Sequence, residues 1–100
     1  MRDIESINEF NAIVLEEKSK DIVVEFWMPC PQSDAMISVM QEFEKETELD
    51  VIRVNVDENP EIAKEYNVIS VPHVFRFSDG EIVTESEGAV PLPVLLQRLT

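Results

Sequence analysis

One hundred residues leave room for one hydrophobic core and exclude a second domain, and 44% hydrophobic with 29% charged residues is ordinary for a soluble globular chain. The balance of 21 acids against 8 bases, net −13, argues against nucleic acid as a partner, because phosphate contacts need clustered lysine and arginine. No stretch approaches the ~20 apolar residues of a membrane span, "MRDIESINEF" lacks the apolar core of an export signal, and one cysteine excludes an intrachain disulfide, so the expected compartment is the cytoplasm.

"INEFNAIVLEEKSK" (7–20) carries apolar residues at 7, 10, 13, 14 and 15, close to a helical stripe. "DIVVEFW" (21–27) is β-branched, aromatic and nearly continuous in apolarity, which predicts a strand covered on both faces and interrupted only by Glu25. "AMISVMQEFEKE" (35–46) sets Met36, Val39, Met40 and Phe43 at helical spacing. The acidic run "EFEKETELD" (42–50) is either a solvated helix face or a docking surface for a basic partner. "DVIRVNVD" (50–57) alternates with the period of a strand. "NPEIAKEYNV" (59–68) is a short helix opened by Asn59 and Pro60. "HVFRFSDGEIVTES" (73–86) is a hairpin turning at Asp79-Gly80, and "LPVLLQRL" (92–99) is a last helix with Pro93 near its start. The order is roughly β-α-β-α-β-α-β-β-α, an α/β chain forming a single domain over residues 1–100, with a mixed central sheet flanked by helices on both faces.

The stretches "VVEFW", "MISVM", "VIRVNVDENPEIAKEYNVISVPHVFRFSDGEIV" and "EGAV" together make the sequence resemble thioredoxin along nearly its whole length. The resemblance implies the thioredoxin-like fold and a cis bond between Val71 and Pro72, opposite the active-site helix. It also implies a shallow apolar groove ringed by Trp27, Pro31, Val71 and Pro72, in which backbone pairing holds an extended peptide. Val39 stands where the family usually kinks the helix with proline, so the groove is expected to shift slightly.

Thioredoxins use two cysteines as C-x-x-C, one attacking a substrate disulfide and the other resolving the mixed disulfide. Aligned without gaps, those positions fall on Pro31 and Asp34, with Cys30 one residue early. Shifting one residue gives "CPQS", with Ser33 in the resolving position. Either way the second thiol is missing, which excludes dithiol cycling within one molecule. A mixed disulfide on Cys30 then has to be cleared by an outside thiol. Two functions follow from the resemblance. One is thiol redox homeostasis through mixed disulfides of Cys30 with a protein partner or glutathione. The other is a catalytically inactive binding or adaptor module. Neither calls for a metal or cofactor, and the protein is expected to be a monomer, with a Cys30-linked dimer as a variant.

Pro31 suits the first turn of a helix, which puts Cys30 at the N-cap, where backbone N–H groups and the helix dipole favour a thiolate. Glu25 and Asp34 oppose this wherever they lie close. The plain alternative is that Cys30 packs as a small hydrophobe. His73 is a candidate base or orienter for Cys30, or simply a packed, hydrogen-bonded histidine on another side of the strand. A Cys30–His73 metal site falls short of the usual three or four ligands. Glu25, a carboxylate within a buried strand, needs a counter-charge, and Arg53 on the next strand is its natural partner. In the family an aspartate at this position is thought to handle protons for the resolving cysteine, so Glu25 is either a structural partner of Arg53 or a residual proton handler.

Overall fold

The computed structural model describes residues 1–100. In chain order the elements are β1 (Arg2–Ile4), α1 (Ile7–Phe10), β2 (Ile22–Trp27), α2 (Pro31–Thr47), β3 (Asp50–Asn55), α3 (Pro60–Glu65), β4 (His73–Ser78), β5 (Glu81–Glu87) and α4 (Leu92–Leu99). The five strands form one mixed sheet in the order β1-β3-β2-β4-β5. The pairs β1/β3 and β2/β3 are parallel, whereas β2/β4 and β4/β5 are antiparallel. The β2-α2-β3 crossover supplies the parallel pair, and the tight turn at Asp79-Gly80 allows only an antiparallel one.

Alternation along the strands sorts the apolar residues into two cores. Ile22, Val24 and Phe26 of β2, Ile52 and Val54 of β3, and Phe75 and Phe77 of β4 join Phe10, Val14 and Ile62 on the α1/α3 side. Val23, Val51 and Val74 face Met36, Met40 and Phe43 of α2 and Leu95 and Leu99 of α4. Burial of each such side chain stabilises the fold by about 1.5–3 kcal/mol. Tyr66 closes the first core, its ring centroid 5.6 Å from that of Phe10 and 5.5 Å from that of Phe77. Glu25 and Trp27 share the parity of Val23, and Arg53 that of Val51, so these polar and aromatic side chains lie on the α2/α4 side.

Element boundaries differ from the sequence reading for local reasons. The helix expected over residues 7–20 is α1, capped by the Ser6 hydroxyl, followed by a wider π-helical stretch Asn11–Glu16. Only Phe10 and Val14 are buried in it, so nothing holds the charged residues beyond Glu16 in a helix. Helix α2 begins at Pro31 with Cys30 as its N-cap, as the proline signals, ahead of the apolar stripe that starts at Met36, and Ser33 is buried in its first turn. Strand β3 ends at Asn55, two residues short of expectation, because Asn55 Oδ1 accepts the N–H groups of Asp57 and Glu58 and turns the chain. The short initial strand Arg2–Ile4 has only Ile4 buried. Asp79 and Gly80 both have positive φ, 54° and 80°, as a two-residue hairpin turn of the right twist requires. No helix is long and apolar enough to cross a membrane.

Candidate functional site

Strand β2 delivers the chain to Met28 and Pro29, and Cys30 then occupies the N-cap of α2 with extended backbone, φ −167° and ψ 159°. Pro31 takes the first helical position, where an N–H would have no partner in any case. Cys30 is partly exposed. Ser33 is fully buried, and its hydroxyl accepts the Met28 N–H at 3.5 Å. The Cys30 sulfur makes no capping hydrogen bond of regular geometry. The Ser33 hydroxyl nevertheless acts on it most strongly, followed by the Ser33 N–H, and together they hold the thiol below its ordinary pKa. Partial burial opposes this, the Gln32 N–H adds to it, and the nearby Asp34 charge opposes it again. Pro31 and Asp34 themselves are exposed.

On the same face of the sheet, Glu25 and Arg53 lie directly opposite each other on β2 and β3. Glu25 is 0% exposed, and Arg53 Nε donates to Glu25 Oε1 at 2.8 Å. The Arg53 guanidinium stands 4.3 Å from the centre of the Trp27 ring, close enough for a cation–π contact. Burial pushes the Glu25 carboxyl above its ordinary value; Arg53 pulls it back, and the Asp3 charge adds to the upward push. Asp3 is paired with Arg53 across β1 and β3, which sets the arginine between two acids. Glu25 Oε2, Arg53 Nη2 and Trp27 Nε1 are buried without a protein partner, so the cluster is only partly satisfied internally.

Of the two readings open for His73, the structure shows the packed, hydrogen-bonded one. It is buried, stacks on Phe75 with ring centroids 4.2 Å apart, and sets Nε2 3.0 Å from Glu85 Oε1 and 3.8 Å from Glu87 Oε1. Its parity is that of Phe75, on the α1/α3 side, whereas Val74 between them faces α2. The alternative in which His73 serves Cys30 as base or orienter is therefore not formed: β4 turns the imidazole away from α2 and the hairpin carboxylates engage it.

The Val71–Pro72 bond is cis. Pro72 is buried, with its carbonyl accepting the Gly88 N–H at 2.8 Å, while Val71 and Trp27 are half-buried and Pro31 is exposed. None of the four surface cavities is lined by Cys30, Pro31, Val71 or Pro72. Trp27 instead borders a small cavity with Asp3, Arg53, Asn55 and Glu58. Two features escaped the sequence reading. Ile69, 93% exposed in the loop before the cis proline, is one. The convergence of Glu85 and Glu87 on His73 is the other, and the alternation in "TESE" was the available sign of it.

The family model described as Thioredoxin matches residues 3–100. Thioredoxin 1 of Synechococcus elongatus is 35% identical over 86 residues, covering 83% of this chain and 80% of the relative. The thioredoxin of Griffithsia pacifica is 38% identical over 81 residues, covering 78% of this chain and 74% of the relative. Among solved structures, Fasciola hepatica thioredoxin superposes with a TM-score of 0.87 at 27% identity, over 97% of this chain and 94% of the other. Plasmodium falciparum thioredoxin gives the same TM-score of 0.87 at 25% identity, over 97% and 94%. The chain belongs to the thioredoxin family of redox proteins.

Proposed function

We propose that this protein works through a single thiol, in the register "CPQS", with Cys30 as nucleophile and Ser33 as its hydrogen-bonding neighbour. The Cys30 thiolate attacks one sulfur of a disulfide R–S–S–R′. The S–S bond breaks, R′S⁻ leaves and takes up a proton, and a Cys30–S–S–R mixed disulfide forms. A glutathione thiolate then attacks the sulfur of R, forming R–S–S–G and returning Cys30 as thiolate. Glutathione or a second protein thiol is thus an obligatory co-reactant, which fits a reducing cytoplasm. The reading rests on the part-exposed sulfur at the N-cap of α2, lowered in pKa chiefly by the Ser33 hydroxyl and N–H. Trp27, Pro31, Val71 and Pro72 are proposed as the surface that meets the partner, and Glu25 is assigned first to pairing with Arg53. The test is reduction of a glutathione mixed disulfide with excess glutathione. Cys30→Ser is expected to lower the rate at least about tenfold, and equal rates in the two proteins would end the proposal.

A binding module without catalysis is the second reading, favoured by Ile69, whose apolar side chain stands almost free beside the cis proline. Under that reading Cys30→Ser retains its partner while Ile69→Asp loses it; under the redox reading the dependence is reversed.

A further inference from the structure

We propose that His73, Glu85 and Glu87 form a binding site for a divalent transition cation of the zinc class on the β4–β5 hairpin, although the sequence reading assigned no metal. Their donor atoms all lie within 4.8 Å of one another. In a tetrahedral site with bonds of about 2.0–2.1 Å, neighbouring donors stand ~3.3–3.4 Å apart. The separations of 3.0 Å and 3.8 Å from His73 Nε2 to Glu85 and Glu87 bracket that distance. Both glutamates are more than half exposed, so small side-chain rotations close the difference.

The backbone fixes this convergence. His73 is the register partner of Glu87, and Glu85 is two residues along the same strand, on the same face. The imidazole is held by burial and by its stack on Phe75, so one ligand is already oriented. A hydrogen-bonded His–Glu pair has no need of the second carboxylate. Bringing it in sets two negative groups side by side on a chain of net charge −13, a repulsion that a cation between them relieves. One imidazole nitrogen and two carboxylate oxygens suit zinc, copper or nickel better than calcium or magnesium, which take oxygen ligands. Three protein ligands leave a position for water. His73 Nδ1 has no protein partner to orient the ring from behind, which weakens the site about 10–100-fold against one with such a partner. The site lies on the α1/α3 side, across the sheet from Cys30, and does not depend on the redox proposal.

Titration of the full chain with Zn²⁺ tests this. Cys30→Ser protein is used so that the thiol does not compete, with the His73 ring resonances and thermal unfolding followed together. One equivalent should bind, shift the His73 ring signals and raise Tm, while the same concentration of Mg²⁺ does neither. Glu85→Gln/Glu87→Gln, which changes only exposed side chains, should weaken zinc binding at least about tenfold. Unchanged zinc affinity in that variant, unmoved His73 signals, or no binding would overturn the proposal.

Discussion

Glu25 Oε1 and Arg53 Nε meet at 2.8 Å across β2 and β3, with the carboxylate fully buried and the guanidinium 4.3 Å from the centre of the Trp27 ring. Removing one member leaves the other charge buried without a partner. Arg53→Met should therefore cost about 3 kcal/mol, whereas Glu25→Leu/Arg53→Met together should fall near neutral or be stabilising. Urea unfolding of the two variants makes the comparison, and equal losses would count against a coupled pair.

The same carboxyl carries a pH signature. Burial raises the Glu25 pKa on folding against the pull of Arg53, so the native state holds that proton more tightly than the unfolded chain. The associated stability is complete below the ordinary glutamate pKa and is lost as pH rises through the native value. Glu25→Gln removes the titration, so its stability relative to wild type should climb with pH and then level off. Unfolding free energies between about pH 4 and 8 measure this, and a constant difference across the range would contradict it.

Ser33 is the largest influence on the Cys30 sulfur. Ser33→Ala should raise the thiol pKa toward its ordinary value and slow alkylation at neutral pH, read from the pH dependence of iodoacetamide reaction. Ser33→Cys places a second sulfur where the hydroxyl stands, and oxidation should then close an intramolecular disulfide with loss of both free thiols. An alkylation profile unaltered by Ser33→Ala would remove Ser33 from the site.

His73→Asn should leave the Cys30 alkylation profile where it is, because the imidazole faces Phe75 and the hairpin glutamates. A shifted thiol pKa in this variant would mean that the two side chains communicate across the sheet.

Gly80→Ala tests the hairpin. At φ +80° a side chain is strained, and a Cβ there would stand 3.1 Å from the Leu15 carbonyl oxygen. The expected loss is about 1–2 kcal/mol, visible as a lower urea midpoint with the slope unchanged.

The elements read most clearly from sequence were those in which one physical signal dominates. The β-branched run of β2, the alternation of β3, the Asp79-Gly80 turn and the last helix at residues 92–99 all fall close to their expected places. Strand β1 leaves no mark in the sequence, because three residues with one buried side chain carry no periodicity. The first helical stretch ends at Glu16 rather than at residue 20, because beyond Leu15, which packs on the core, "EEKSK" offers no apolar side chain to hold another turn. At the site, the Glu25–Arg53 pair was legible from a buried acid and a neighbouring base on adjacent strands. For His73 two readings stay open in the sequence, since the choice depends on which face of β4 the imidazole takes and on two glutamates of β5 beyond the turn. Spacing along the chain holds no record of such cross-strand company.

Strand β5 has no neighbour on its outer side, and its seven residues are almost all exposed. Such a margin is a template on which another copy could add a strand, with Ile82 and Val83 as adhesive. Glu81, Glu85 and Glu87 stud it with negative charge, so two copies approaching edge to edge repel before backbone groups can pair. A cation that screens those glutamates strips away that guard, and self-association should then begin along this strand.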